Sequence, residues 1–140
     1  RKDCDMIVID ARNAVLGRMA SEVSKMLKKG EEVVIVNAEQ AIITGSSKQI
    51  VGKYLKRRRI GSPQHGPFFP KKPDMIVRRT VRGMINYRQP SGRAAYKRLR
   101  VHIGLPEDFE KIERKNLAVK EIKTDYIKVG QLAKSLGWHE

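Results

Sequence analysis

The first forty residues alternate between short apolar runs and one amphipathic stretch. Residues 6–9 and 33–36 are apolar and mostly β-branched, and each run predicts a buried strand. Between them, apolar residues mark one face of a helix: Leu16, Met19, Ala20, Val23 and Leu27. We expect Asn13 to cap this helix and Gly30 to end it. The order strand–helix–strand predicts two parallel strands, and continuous apolar strands indicate a sheet that is covered on both faces.

The next segment predicts a short strand, a helix and an irregular loop. Residues 41–44 are a third extended piece, and Ser46 or Ser47 can cap a helix over residues 48–58. The inward side of that helix is apolar: Ile50, Val51, Tyr54 and Leu55. Residues 59–73 contain four prolines and two glycines. Because proline removes a backbone donor and restricts φ, this stretch predicts an extended loop rather than a helix or strand.

Two further helices are predicted in the second half of the chain. One begins at residues 73–74, with its inward positions at Val77, Val81 and Met84. A loop at residues 89–92 then leads to a short helix over residues 93–98.

The last forty residues predict a strand and a closing helix. Residues 99–103 alternate between apolar and polar and predict a strand, whereas residues 107–125 lack a clear pattern. A C-terminal helix within residues 126–138 buries an apolar face and ends at Gly137: Val129, Leu132, Ala133 and Leu136. We therefore expect residues 1–140 to form a single domain, with residues 59–73 as an extended basic loop.

Composition narrows the class of protein. The chain has 140 residues with 30 Lys and Arg against 15 Asp and Glu, a net charge of +15. It contains no run near the roughly 20 apolar residues that span a bilayer, so we expect no membrane partner. The single Cys4 excludes an internal disulfide framework and a cysteine-cluster zinc site. The charged start shows no apolar signal region, and we expect a cytoplasmic protein.

The positive charge is concentrated in one segment. Residues 1–47 and 101–140 each hold 7 basic and 7 acidic side chains, whereas residues 48–100 hold 16 basic side chains and one acid, Asp74. We call residues 48–100 the basic segment. Fifteen uncompensated charges in so short a stretch repel one another, so they predict a polyanionic partner. For a small cytoplasmic protein that partner is expected to be nucleic acid.

Motifs for enzyme chemistry are not found. Residues 9–17 lack the glycines that admit a dinucleotide pyrophosphate. Residues 44–48 resemble the end of a phosphate loop, but a plain serine cap is the favoured interpretation over a bound anion. The histidines are widely spaced, at His65, His102 and His139, and show no metal-ligand pattern. We expect no cofactor, no metal and no small-molecule substrate.

Within the basic segment, the residue types favour contacts with RNA phosphates. Arg78, Arg79 and Arg82 share one sector of a predicted helix, and the planar guanidinium suits bidentate phosphate contacts. The proline- and glycine-rich loop leaves alternatives open. His65 either touches RNA or has a structural role. Phe68 and Phe69 either stack on splayed bases or anchor the loop to the domain. We also expect this loop to be mobile in the free protein and ordered on RNA.

Several motifs in order resemble the L-thirteen family of large-subunit ribosomal proteins. They lie at residues 8–11, 16–21, 36–39, 44–45, 79–84, 92–94 and 99–101. Residues 66–70 and 129–137 look like the archaeal and eukaryotic branch. The chain departs from the family pattern at Ile85–Asn86, where Leu-Pro is usual, and at His102, where an aromatic or aliphatic residue is common.

The resemblance implies an α/β fold of three layers, α/β/α, around a small and mainly parallel sheet of about four strands. It also implies a non-enzymatic structural constituent of the large ribosomal subunit that binds ribosomal RNA, supports assembly and contacts neighbouring ribosomal proteins. With the family's basic middle contacting RNA, the implied RNA-binding residues are Lys53, Lys56, Arg57, Arg58, Arg59, Lys71, Lys72, Arg78, Arg79, Arg82, Arg88, Arg93, Lys97, Arg98 and Arg100. The alternatives are a small RNA-processing enzyme on a Rossmann-like scaffold and, less favoured, a DNA-binding regulator.

Overall fold

The computed structural model describes residues 6–59, 71–118 and 124–138, with residues 57–59 described as backbone only. In chain order the elements are β1 (Met6–Asp10), α1 (Leu16–Lys28), β2 (Glu32–Val36), β3 (Ile42–Thr44), α2 (Ser47–Arg59), α3 (Pro73–Met84), α4 (Pro90–Lys97), β4 (Leu99–Val101), β5 (Lys115–Asn116), β6 (Tyr126–Lys128) and α5 (Val129–Ser135). Two 3₁₀ turns are Ala38–Gln40 and Glu107–Phe109. Within these ranges no helix is long and apolar enough to cross a membrane.

A four-stranded parallel sheet lies at the centre of the fold. Its strand order is β4-β2-β1-β5, with every pairing parallel. The predicted βαβ unit is confirmed, because β1 and β2 pair over their whole length, from Met6 with Glu32 to Asp10 with Val36. The mixed α/β class and the mainly parallel sheet of about four strands are confirmed as well. The unpatterned region contributes β5, which has only two residues, both exposed.

The apolar strands are buried from two sides. Ile9, Val33 and Ile35 pack with the helices in the larger core, whereas the intervening Val8 and Val34 face the other way. On that second face, Leu105 and Phe109 complete a smaller cluster, and Phe109 is the last residue of the Glu107–Phe109 turn. Burial on both faces explains why β1 and β2 are continuously apolar, and it agrees with a three-layer arrangement.

A second sheet, of two strands, includes residues that were predicted to begin the C-terminal helix. β3 pairs antiparallel with β6, and Ile43 lies opposite Ile127. The C-terminal helix therefore starts at Val129 rather than at residue 126, because residues 126–128 pair as a strand. Gly137 follows the helix with φ of 108°, a left-handed conformation that suits glycine, and confirms the predicted end.

The boundaries of α1 show one confirmed and one wrong prediction. The predicted apolar face is buried, and Gly30 ends the helix with φ of 96°. The predicted cap at Asn13 is wrong, since the N-cap position is Val15 and makes no side-chain capping bond. Asn13 instead adopts φ of 59° in the turn after β1, where its N–H donates to Gln40 O at 3.1 Å. Asparagine tolerates this left-handed conformation better than most residues do.

The helices α3 and α4 begin at prolines. α3 starts at Pro73 as predicted, and Val77 and Val81 are fully buried. Met84 is 39% exposed, so its predicted inward position is wrong; Ile85, just beyond the helix end, is buried in its place. α4 starts at Pro90, three residues before its predicted start, and the strand after it ends at residue 101 instead of 103.

Candidate nucleic-acid interface

The predicted RNA-binding residues of α2 and the following loop are described only in part. Lys53 and Lys56 lie on α2 and are exposed. The side chains of Arg57, Arg58 and Arg59 lie outside the description, although their backbone belongs to α2. His65, Phe68 and Phe69 lie outside the described residues, so their alternative roles and the expected mobility of the loop stay predictions.

Most of the remaining predicted cations lie on or beside α3 and α4. Arg79 is exposed on α3, while Arg78 and Arg82 are half-buried on the same helix. The other exposed cations of this region are Lys71, Lys72, Arg88, Arg93, Lys97 and Arg100. These cations lie on α3, α4 and β4 or directly beside them, and apart from the half-buried Arg78 and Arg82 the side chains named here are exposed.

Two tyrosines that the sequence analysis did not single out lie among these cations. The guanidinium carbon of Arg82 lies 4.1 Å from the ring centre of Tyr87, and that of Arg78 lies 5.0 Å from the ring centre of Tyr96. The two rings meet edge to face, with centres 5.4 Å apart and planes at 89°. We call these four residues the aromatic–arginine cluster. Each cation–π contact is worth about 0.5–2 kcal/mol, depending on its exposure to solvent.

The sequence held a signal for this cluster. Tyr87 and Tyr96 are interleaved with the arginines of the basic segment, and aromatic residues among cations are common where proteins bind single-stranded nucleic acid. Spacing could not reveal the pairing, because the tyrosines lie on a turn and a different helix from the arginines they contact.

Gly92 allows α4 to approach the turn that carries Tyr87. A Cβ atom at Gly92 would lie 1.7 Å from Asn86 O and 2.3 Å from its carbonyl carbon. The turn is held by backbone bonds from Tyr87 N to Ile85 O at 2.8 Å and from Gln89 N to Asn86 O at 3.2 Å. Only a glycine fits here, so this residue sets the position of α4 relative to α3.

Arg98 forms a hydrogen bond to a distant element of the fold. Its Nη1 donates to Leu27 O at 2.9 Å, and the bond is partly buried. Leu27 lies in the last turn of α1, where a cation is favourable, and its carbonyl oxygen also accepts from Gly30 N at 3.1 Å. Arg98 thus joins the end of α1 to the end of α4. With Lys28 it also lines an open cavity of about 360 Å³.

Asp74, the one acid of the basic segment, lies in the first turn of α3, where the helix dipole favours a negative charge. Its Oδ1 is buried without a hydrogen-bond partner, and so is Nε of Arg78, one turn further along the helix. Buried polar atoms of this kind are rare in folded proteins.

The carboxyl edge of the parallel sheet, where α/β enzymes usually bind ligands, holds its polar groups in internal bonds. Asp10 Oδ1 accepts from Asn37 Nδ2 at 3.1 Å and from Arg12 N at 3.0 Å. Glu39 Oε1 accepts from Gly104 N at 3.0 Å. These carboxylates hold the loops at this edge. Among the described residues, no group of three His, Cys, Asp or Glu could hold a metal ion.

The comparisons with known proteins point to one protein family. The family model for Ribosomal protein L13 matches residues 4–108. A protein named large ribosomal subunit protein uL13 from Methanocaldococcus jannaschii is 45% identical over 136 residues, covering 94% of this chain and 98% of the relative. Proteins of the same name from Methanopyrus kandleri and Archaeoglobus fulgidus are each 44% identical, covering 94% and 96% of this chain and 86% and 89% of the relatives.

Proposed function

The chain belongs to the ribosomal protein L13 family, and we propose that it is a non-enzymatic, structural constituent of the large ribosomal subunit. In this role it binds large-subunit ribosomal RNA, supports the assembly of the subunit and contacts neighbouring ribosomal proteins. The archaeal relatives are named as proteins of the large ribosomal subunit. That particle lies in the cytoplasm, and so does the protein in this proposal.

The observation that carries the RNA-binding proposal is the arrangement of cations on α3 and α4. Exposed Lys and Arg side chains lie on or beside α3 and α4, which also carry most of the aromatic–arginine cluster. The neutral segment 1–47 contributes β1, α1 and β2, and the neutral segment 101–140 contributes β6 and α5. The neutral segments thus supply the folded platform, and the basic segment neutralises phosphates of adjoining RNA helices. Such binding depends on charge and shape and reads few bases.

The salt dependence of RNA binding tests this proposal. The probe is purified large-subunit ribosomal RNA, and affinity is measured over a range of monovalent salt. Replacing Arg78, Arg79 and Arg82 together by Gln removes three phosphate contacts, each of which contributes roughly 0.7–0.9 to the slope of log affinity against log salt. We expect the slope to become shallower by about 2 to 2.7.

The matched control removes the same charge from the neutral part of the protein. Arg12, Arg18 and Lys29 are exposed and lie outside the basic segment, and replacing all three by Gln is expected to leave the slope nearly unchanged. Circular dichroism and thermal unfolding of both triple variants verify the fold. Equal changes of slope in the two variants would show that net charge, and not the α3–α4 surface, drives binding.

A further inference from the structure

We infer that Tyr87 and Tyr96 are positioning residues, which hold the guanidinium groups of Arg82 and Arg78 in place for RNA phosphates. The inference rests on the proposed function and adds to it a role for two uncharged residues. It starts from the geometry of the aromatic–arginine cluster, in which each arginine lies over one tyrosine ring and the rings contact each other.

Each guanidinium carbon lies over a tyrosine ring, and a cation–π contact of this kind takes no hydrogen bond from the arginine. A guanidinium is planar, and its N–H groups point outward in that plane. The attraction is between the positive charge and the ring, so it does not use the N–H donors. Those donors are the groups that form paired bonds to a phosphate. An arginine held in this way can bind a phosphate through its Nη groups while it stays in contact with the ring.

The two tyrosines restrain each other as well as the arginines. Their edge-to-face contact, at 5.4 Å and 89°, is a favourable geometry for aromatic pairs. Tyr87 lies in the turn after α3 and Tyr96 lies on α4, so the contact also joins these two elements. The order Arg82, Tyr87, Tyr96, Arg78 is thus one connected row of half-buried side chains. A free arginine loses side-chain entropy when it is immobilised on a ligand, and one already restrained loses less.

The hydrogen bonding of Arg78 supports the same conclusion. Its Nε is buried and has no hydrogen-bond partner, so no bond to that atom fixes the side chain. The ring of Tyr96 is in contact with the same guanidinium. Because Nε is buried, it does not reach a phosphate, and the donors of Arg78 that can serve a ligand are those on Nη1 and Nη2.

A double-mutant cycle on Arg82 and Tyr87 tests the inference. RNA affinity is measured at one salt concentration for Tyr87→Leu, Arg82→Gln and the double variant, with large-subunit ribosomal RNA as the probe. We expect Tyr87→Leu to weaken binding about three- to tenfold in the wild-type background and hardly at all in the Arg82→Gln background. Tyr87→Phe keeps the ring and is expected to bind as the wild type does. Tyr126→Leu, which removes an exposed tyrosine on β6, is the matched control.

A merely structural role of the tyrosine gives a different result. If Tyr87 only packs α4 against α3, its removal weakens binding by the same factor with and without Arg82, and the inference is overturned. If Arg82→Gln and the triple arginine variant bind like the wild type, the proposed RNA surface itself is wrong. If the arginine variants lose affinity but the tyrosine effects are additive, only the positioning role is wrong.

A measurement on the unmodified protein covers the case in which Tyr87→Leu does not fold. Proton resonances of the Arg82 side chain are expected to show ring-current shifts in the free protein, and Tyr87→Phe should preserve them. Unshifted Arg82 resonances without RNA would overturn the inference, because the arginine would then not be held before binding. The Arg78–Tyr96 pair provides a second, independent cycle.

Discussion

Replacing Gly92 by Ala provides the sharpest test of how α4 is positioned. In most helices this change stabilises, because alanine has a higher helix propensity by about 1 kcal/mol. At Gly92 the new Cβ would lie 1.7 Å from Asn86 O, and reaching the 3.4 Å of ordinary contact requires a displacement of about 1.7 Å. The neighbouring atoms are backbone, so no side-chain rotation can relieve the clash.

The expected cost follows from this displacement. Overpacking that forces a backbone shift costs typically about 1–3 kcal/mol. Moving the turn also strains the bond from Gln89 N to Asn86 O, and a typical hydrogen bond contributes about 0.5–1.5 kcal/mol. Together these effects outweigh the helix propensity of alanine. We expect Gly92→Ala to lower the free energy of unfolding by about 1–3 kcal/mol.

Urea denaturation followed by circular dichroism measures the change. Gly52→Ala is the matched control, because Gly52 is exposed in the middle of α2 and an added Cβ meets nothing within 4 Å. That control is expected to raise stability by about 0.5–1 kcal/mol. If Gly92→Ala were as stable as Gly52→Ala, the close approach of α4 to the turn would be refuted.

Two further substitutions test hydrogen bonds within the fold. Asn37→Ala is expected to lower the free energy of unfolding by about 1–3 kcal/mol, because Asp10 Oδ1 loses a buried donor. Urea denaturation measures the change, and a value within about 0.5 kcal/mol of the wild type would contradict this expectation. Arg98→Ala is expected to lower the free energy of unfolding by about 1–2 kcal/mol, because the bond to Leu27 O is lost. The control Arg100→Ala, at an exposed position, should change it by less than about 0.5 kcal/mol. Equal melting temperatures for the two variants would argue against the anchoring role of Arg98.

The elements with strong local patterns were predicted well, and the others were not. α1 and β2 have unbroken periodicities, and their predicted faces are the buried ones. β5 has two exposed polar residues, and nothing in its own sequence indicates that it pairs with β1. The start of the C-terminal helix was wrong because residues 126–128 pair with β3, some 80 residues earlier, and a distant partner leaves no periodicity along the chain.

The sequence by itself determined the class of the fold, the location of the positive charge and the motifs of the ribosomal family. These properties depend on residue type and short-range spacing, and both can be read directly from the amino-acid sequence. Only the tertiary structure decided which cations have partners within the protein. It placed Arg98 on the end of α1, Arg82 on Tyr87 and Arg78 on Tyr96, and it made Gly92 necessary. The physical reason is that such contacts join separate elements, and their distances depend on how those elements pack.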